Sequence, residues 1–212
     1  MNEARQNPRI RYDEGCLAAH ALNIVGDRWA LLVVRELMLA PKRFQAIRHG
    51  LPGVTAAVLT QRLLQLAGAG VVAYDAGHYS LTPSGQGLLP VLQAMCRWGA
   101  LHPGHDPRRF ISPSALVISM TAMIGPAEGH RALAGMRMGD EDFTLQLTGD
   151  GVLRPQAGAD PAADFVLSGS GNSLARAVYG PVPLADLARD GAVGLAGDAQ
   201  AAQDFVDLFR LR

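Results

Sequence analysis

Residues 55 to 85 read TAAVLTQRLLQLAGAGVVAYDAGHYSLTPSG, and this stretch decides the fold of the first half of the chain. Thr55 is a suitable N-cap, its hydroxyl able to accept a bond from a backbone N–H of the first turn. Leu59, Leu63 and Leu66 follow at i, i+4 and i+7, one buried stripe of a helix running to about Ala67. At 100° per residue Ala57, Thr60, Gln61 and Leu64 point the opposite way, toward a partner. Gly68 and Gly70 stop the helix, and Val71–Asp75 and His78–Leu81 read as two strands around the tight turn Ala76-Gly77.

Upstream, Asp27 stands where an N-cap belongs, and Trp29, Leu32, Val33 and Leu37 recur at helical spacing until Pro41. A short helix at about Arg43 to His49 carries Phe44 and Ile47, and Gly50-Leu51-Pro52-Gly53 forces a turn. A short supporting helix, a tight turn and a helix with a polar outer face are what a helix-turn-helix needs to enter the major groove, and residues 43 to 67 supply them. Downstream, a helix of about Pro83 to Leu101 carries Leu88, Val91, Leu92, Met95 and Trp98, a stripe wide enough to pack on another subunit.

The charge distribution is in keeping with this reading. The 212 residues balance 19 Lys and Arg against 19 Asp and Glu. The balance is uneven along the chain: 10 basic against 6 acidic residues up to residue 105, and 9 against 13 beyond it. A mildly basic first half fits contact with nucleic acid. No run of roughly 18 apolar residues is present, so no membrane partner is expected. Met1 to Glu14 is polar and lacks the apolar stretch of a secretory signal, which places the chain in the cytoplasm. Two cysteines, Cys16 and Cys96, are too few for a disulfide framework and read as free thiols.

These motifs carry a resemblance. Cys16 ten residues before Gly26, then Trp29, Lys42-Arg43-Phe44, Leu59-Thr60-Gln61-Arg62-Leu63, Leu81-Thr82-Pro83-Ser84-Gly85 and Trp98-Gly99 resemble the HxlR family of winged helix-turn-helix regulators over residues 16 to 102. The resemblance implies a homodimer, held by the first and last helices of the domain, on a roughly palindromic double-stranded DNA operator. It places Thr55, Thr60 and Gln61 at the major groove and Lys42, Arg43 and Arg62 at phosphates. Arg62 lies about 60° from the buried stripe, so its stem would pack while its head reaches outward. The chain departs from the family pattern at Ala56, Ala57 and Leu64, where polar or basic residues are usual, and in a short wing whose one candidate contact is His78. Fewer base contacts are therefore expected. Cys16 matches a position that serves as a redox or electrophile switch in some relatives; such a role needs a depressed pKa and access, and Leu17, Ala18 and Ala19 suggest burial.

From His102 to Pro113 the sequence HPGHDPRRFISP, with three prolines, marks a hinge. The expected division is a winged-helix domain at 1–105, a hinge at 106–112 and a second domain at 113–212, giving an α+β chain overall. In the second domain Phe143–Leu147 alternates as a strand, Gly149-Asp150-Gly151 turns it and Val152–Pro155 returns. Phe165–Leu167 and Val193–Ala196 are further strands, with short helices at Asn172–Tyr179 and Leu184–Arg189. Asp198 caps a closing helix with a stripe of Ala202, Phe205, Val206 and Phe209. The spacing of Phe143-Thr144-Leu145, Asp150-Gly151, Asn172-Ser173-Leu174 and Val193 to Asp198 resembles the sterol-carrier-protein-2-like fold. That resemblance implies an apolar pocket between sheet and helices, lined by Met120, Met123, Phe143, Leu145, Phe165, Leu174, Val178, Phe205 and Phe209. Methionines in such a lining adapt to varied apolar ligands.

Catalytic signals are weak. The six histidines are scattered and no cluster has metal-ligand spacing. Ser168-Gly169-Ser170-Gly171 has no lysine after it and reads as a turn into a helix rather than a phosphate loop. Gly139-Asp140-Glu141-Asp142 reads as a solvated acidic turn. No cofactor, metal or catalytic residue is expected. The sequence thus predicts a DNA-binding transcriptional repressor controlled by a small apolar or aromatic effector in its second domain. The alternatives are a thiol-switched regulator acting through Cys16 and a hydrophobic-ligand carrier with weak DNA binding.

Overall fold

In the computed structural model residues 11–211 are described, so the polar N-terminal stretch read above lies outside the described residues as far as residue 10. Two helices come first, α1 (Leu17–Val25) and α2 (Ala30–Leu37). Asp27 does not cap α2 directly: its carboxylate accepts the N–H of Trp29, 2.9 Å away, which is itself the N-cap. Then come α3 (Phe44–His49) and α4 (Ala56–Gly68), whose first turn is closed by the Thr55 hydroxyl accepting from Val58 N–H. The expected stripe of Leu59, Leu63 and Leu66 is buried against Val33, Val34, Leu37 and Ile47. Strands β1 (Val72–Asp75) and β2 (His78–Leu81) pair antiparallel around Ala76-Gly77, both at positive φ, the geometry a two-residue hairpin requires.

The single helix expected from Pro83 to Leu101 is two, α5 (Pro83–Gln86) and α6 (Leu89–Leu101). Pro90 cannot donate to the preceding turn and is tolerated only in the first turn of a helix, so a new helix starts at Leu89. After residues 102–110, which form turns and coil, α7 (Pro113–Met123) begins at the Ser112 cap.

The second half contains β3 (Glu128–Met138), β4 (Glu141–Asp150), β5 (Leu153–Ala157), β6 (Phe165–Ser168), α8 (Gly171–Tyr179), α9 (Leu184–Arg189), β7 (Gly194–Gly197) and α10 (Ala199–Val206). The sheet order is β5-β4-β3-β6-β7. Only β3 and β6 run parallel; the other pairs are antiparallel. The long strand β3 escaped the sequence reading because Gly129, His130 and Arg131 open it with no alternation. Helices α7, α8 and α10 cover one face of the sheet around a core of Met120, Met136, Phe143, Phe165, Leu174 and Phe205. No single helix among the described residues is long and apolar enough to cross a membrane.

The two halves share α7. Its Leu116, Val117 and Met120 belong to the sheet core, whereas Ile118 packs with the winged helix. Beside this contact lies a buried polar cluster. Glu36, fully buried on α2, accepts from Ser112 Oγ at 2.6 Å, from the Arg35 guanidinium at 2.8 and 3.1 Å and from Lys42 Nζ at 3.4 Å. Lys42 Nζ also meets Ser114 Oγ at 3.0 Å and Glu141 Oε2 at 2.6 Å. Ser112 acts twice, since its Oγ also accepts the Ala115 N–H that begins α7. Gly50 leaves the room this requires: a Cβ there would stand 2.2 Å from Glu36 Oε2.

Taking the acid away leaves Lys42 and Ser112 desolvated and short of an acceptor, a change that typically costs about 3–5 kcal/mol. Glu36→Ala is therefore expected to lower stability in urea unfolding by about that much; a loss below about 1 kcal/mol, ordinary for an exposed ion pair, would mean that the cluster is not held dry.

Candidate nucleic-acid interface

Thr55, Thr60 and Gln61 are all exposed on one face of α4, between the exposed apolar side chains of Ala56, Ala57 and Leu64. The Thr55 hydroxyl accepts one bond, from Val58 N–H, which leaves its proton and a second lone pair for an outside partner. Arg43 is exposed at the start of α3, and its Nε donates to His78 Nε2 at 3.3 Å. His78 Nδ1 lies 3.1 Å from Ala76 O, so the Nδ1–H tautomer satisfies both contacts at once. Arg43 is thus an exposed cation joined to the wing by one hydrogen bond.

Two expected phosphate ligands are not placed for that role. Lys42 is buried, with its ammonium held by Glu36, Ser114 and Glu141, and cannot reach a phosphate without abandoning all three. Arg62 is mostly covered: its guanidinium pairs with Asp27 at 2.5 Å and donates to Gln65, tying α4 to the start of α2. In their place the structure offers Arg48, exposed near the end of α3. With Gln45, His49 and Gly53 it lines a shallow depression of about 510 Å³ immediately before the N-terminus of α4. Helix N-termini favour anions. Phe44 and Ile47 mark the inner side of α3, and Arg48 falls about 70° from the middle of that side, where the periodicity does not decide exposure.

Exposed large apolar side chains also lie on α1 and on α6. Leu17, Leu22, Met95, Trp98 and Leu101 are all exposed, with Trp98 at 67% and Leu17 at 86%. On α6 alone Val91, Met95, Trp98 and Leu101 are exposed at helical spacing, and contiguous exposed apolar surface of this kind is unusual on a monomer. The expectation that Leu17 and Ala18 bury Cys16 fails for the same reason: both are exposed, only Ala19 is buried, and Cys16 is an exposed free thiol preceding α1. Cys96, on α6, is partly covered, and burial pushes its thiol above the ordinary value despite the pull of Arg35 and Arg97.

The nine side chains expected to line a ligand pocket are buried. Eight of them, Met120, Phe143, Leu145, Phe165, Leu174, Val178, Phe205 and Phe209, fill one continuous core, and Met123 is buried beside it. Phe205 packs between Phe165 and Phe209, tilted to one and edge-on to the other, at centroid distances of 5.6 and 5.1 Å. A groove of about 890 Å³ lies at the edge instead, lined by the loop Gly180–Pro183 and α10. Of the nine, only Val178 and Phe209 reach it. Leu195, Val206, Gln200, Gln203 and Arg210 also line it. Among the described residues no group of three or more His, Cys, Asp or Glu is placed to hold a metal ion.

A helix-turn-helix with a two-stranded wing, joined to an α+β domain, defines a protein of the winged-helix DNA-binding class. Comparison with known sequences narrows this. The HxlR-like helix-turn-helix family matches residues 24–106. The HTH-type transcriptional regulator YvaP of Bacillus subtilis is 32% identical over 105 residues, covering 46% of this chain and 90% of YvaP. The regulator sll1512 of Synechocystis is 32% identical over 107 residues, covering 47% of this chain and 79% of the relative. Quinone-bound YodB from B. subtilis, a solved structure, is 32% identical with a TM-score of 0.38, over 40% of this chain and 97% of that one. The chain belongs to the HxlR-like helix-turn-helix family and is a transcriptional regulator of that type.

Thiolates, not thiols, are the nucleophiles. Iodoacetamide near neutral pH is therefore expected to label Cys16 well before Cys96 in the folded protein, with the two rates converging in denaturant; equal labelling in the native state would contradict the placement of these thiols.

Proposed function

We propose that this regulator is a cytoplasmic homodimer that represses transcription from a roughly palindromic operator, under the control of a small apolar or aromatic effector. The reading is carried by the exposed polar face of α4, with Arg43 and the wing beside it. Thr55, Thr60 and Gln61 meet base edges or nearby phosphates, Arg43 and Arg48 meet phosphates, and His78 acts by orienting Arg43. With two alanines and Leu64 on the same face, base readout is sparse, so affinity depends on backbone contacts and on the spacing of the two halves. The apolar faces of α1 and α6 supply the dimer contact, which fixes that spacing.

We read the C-terminal domain as sterol-carrier-protein-2-like and place the effector in the groove between Gly180–Pro183 and α10, not in the filled core. A ligand shifts operator affinity only by its preference for one arrangement of the dimer over another, typically about 1–3 kcal/mol. The exposure of Cys16 beside the proposed dimer face favours a second reading, in which oxidation or alkylation of that thiol changes the dimer. Undiminished response to oxidant in Cys16→Ser removes that reading.

The contact set is tested by the salt dependence of DNA binding. If Arg43 neutralises one phosphate in each protomer, Arg43→Ala lowers the slope of log K against log salt by about 2 per dimer. An unchanged slope removes Arg43 from the interface. The effector is tested in the same assay: one compound from a panel of aromatic and acyl molecules weakens binding to wild-type protein, and a panel without effect on operator affinity overturns ligand control.

A further inference from the structure

Lys42 is bonded to both halves of the molecule. Its peptide forms an antiparallel bridge with the wing: Lys42 N–H donates to Tyr79 O and Tyr79 N–H donates to Lys42 O, each at 2.9 Å. Its ammonium points the other way and places its three N–H donors against three acceptors, Glu141 Oε2 at 2.6 Å, Ser114 Oγ at 3.0 Å and Glu36 Oε2 at 3.4 Å. Glu141 stands at the first position of β4, just after the Gly139-Asp140 turn of the C-terminal sheet. Only one side chain from each half and one peptide therefore separate that sheet from the wing. The next residue, Arg43, extends the connection by its bond to His78.

We propose that Glu141 is a positioning residue for the wing, holding it against the helix-turn-helix through Lys42. The charges explain why this one carboxylate matters. Arg35 and Lys42 bring two positive charges to the cluster, and Glu36 and Glu141 bring two negative ones. Without Glu141 the ammonium keeps a single, longer carboxylate contact in a place shielded from water, and an undercompensated buried charge moves toward solvent. Any movement of the Lys42 backbone that accompanies this is passed to the wing, because the Lys42 peptide carries both bridge hydrogen bonds to Tyr79. Glu141 is itself about one third exposed, so its removal opens no cavity in either core. Its consequence for DNA rests on the reading of the wing as part of the DNA-binding face, whereas the mechanical link does not.

Amide hydrogen exchange on the full chain without DNA tests the link separately from that reading. In Glu141→Ala and in Glu141→Gln, which keeps the shape and removes the charge, the amides of Lys42 and Tyr79 and of the wing peptide 72–82 are expected to exchange at least threefold faster. The peptide covering Ala56–Gly68 should keep its wild-type rate, and Glu141→Asp, which keeps the charge, should recover part of the protection. Wing exchange at the wild-type rate in both variants overturns the proposal. Acceleration spread equally over α4 and the wing overturns it too, because it would mark general loosening.

Discussion

Glu36 brings a carboxylate into a region closed to water, and much of the molecule is arranged to keep it there. An unpaired charge in such a place costs several kcal/mol, so its neighbours are constrained. Gly50 must lack a side chain, Ser112 must both cap α7 and donate to the acid, and Lys42 must fold inward from a turn that would otherwise be solvated. Those three residues come from the helix-turn-helix, the segment joining the halves and the turn before α3 that is bridged to the wing. Through Lys42 the cluster also reaches Glu141 in the C-terminal sheet. The winged helix and the α+β domain therefore meet at a defined polar joint as well as through the apolar contacts of Ile118.

The segment before α7 is fastened on the other side as well. Asn172 of α8 donates to Arg109 O at 2.7 Å and accepts from Ile111 N–H at 3.2 Å, and Phe110 meets His49 of α3 edge to face. Farther along, Tyr179 and Ser119 join α8 to α7 through a bond of 2.8 Å, and burial holds the Tyr179 phenol well above its ordinary value, so it stays protonated. Gln93 on α6 donates to Thr121 on α7. A change at the groove beside α8 and α10 thus has a packed route to α6, whose outer face carries Met95, Trp98 and Leu101.

How much of this was legible in the sequence depended on the range of the forces involved. Helix α4, its Thr55 cap and the wing turn are set by neighbours within four residues, and the periodicity of Leu59, Leu63 and Leu66 shows them directly. The break between α5 and α6 was also local, signalled by Pro90, but the surrounding apolar stripe concealed it. Lys42 was misread for a different reason. Whether a lysine in a Pro-Lys-Arg turn faces water or the interior is decided by Ser114 and Glu141, some 70 to 100 positions later, and no local pattern encodes that. Arg62 followed the same logic on a shorter scale, its head claimed by Asp27. The ligand-lining residues were identified correctly as apolar and inward-facing, yet inward-facing residues pack on each other unless something prevents collapse, and here they fill the space.

What remains for function is a small polar face on α4, the exposed Arg43 and Arg48 of the preceding segment, and exposed apolar side chains on α1 and α6. In the proposed homodimer such a surface would gain affinity from being presented twice at fixed spacing more than from any one base contact. The most direct test is fluorescence anisotropy of the whole protein against duplex DNA from the region upstream of its own gene, titrated at several salt concentrations alongside random DNA. The account predicts salt-sensitive binding that saturates at two chains per site and exceeds binding to random DNA by at least about a thousandfold. Equal affinity for both DNAs, or saturation by single chains, would contradict it.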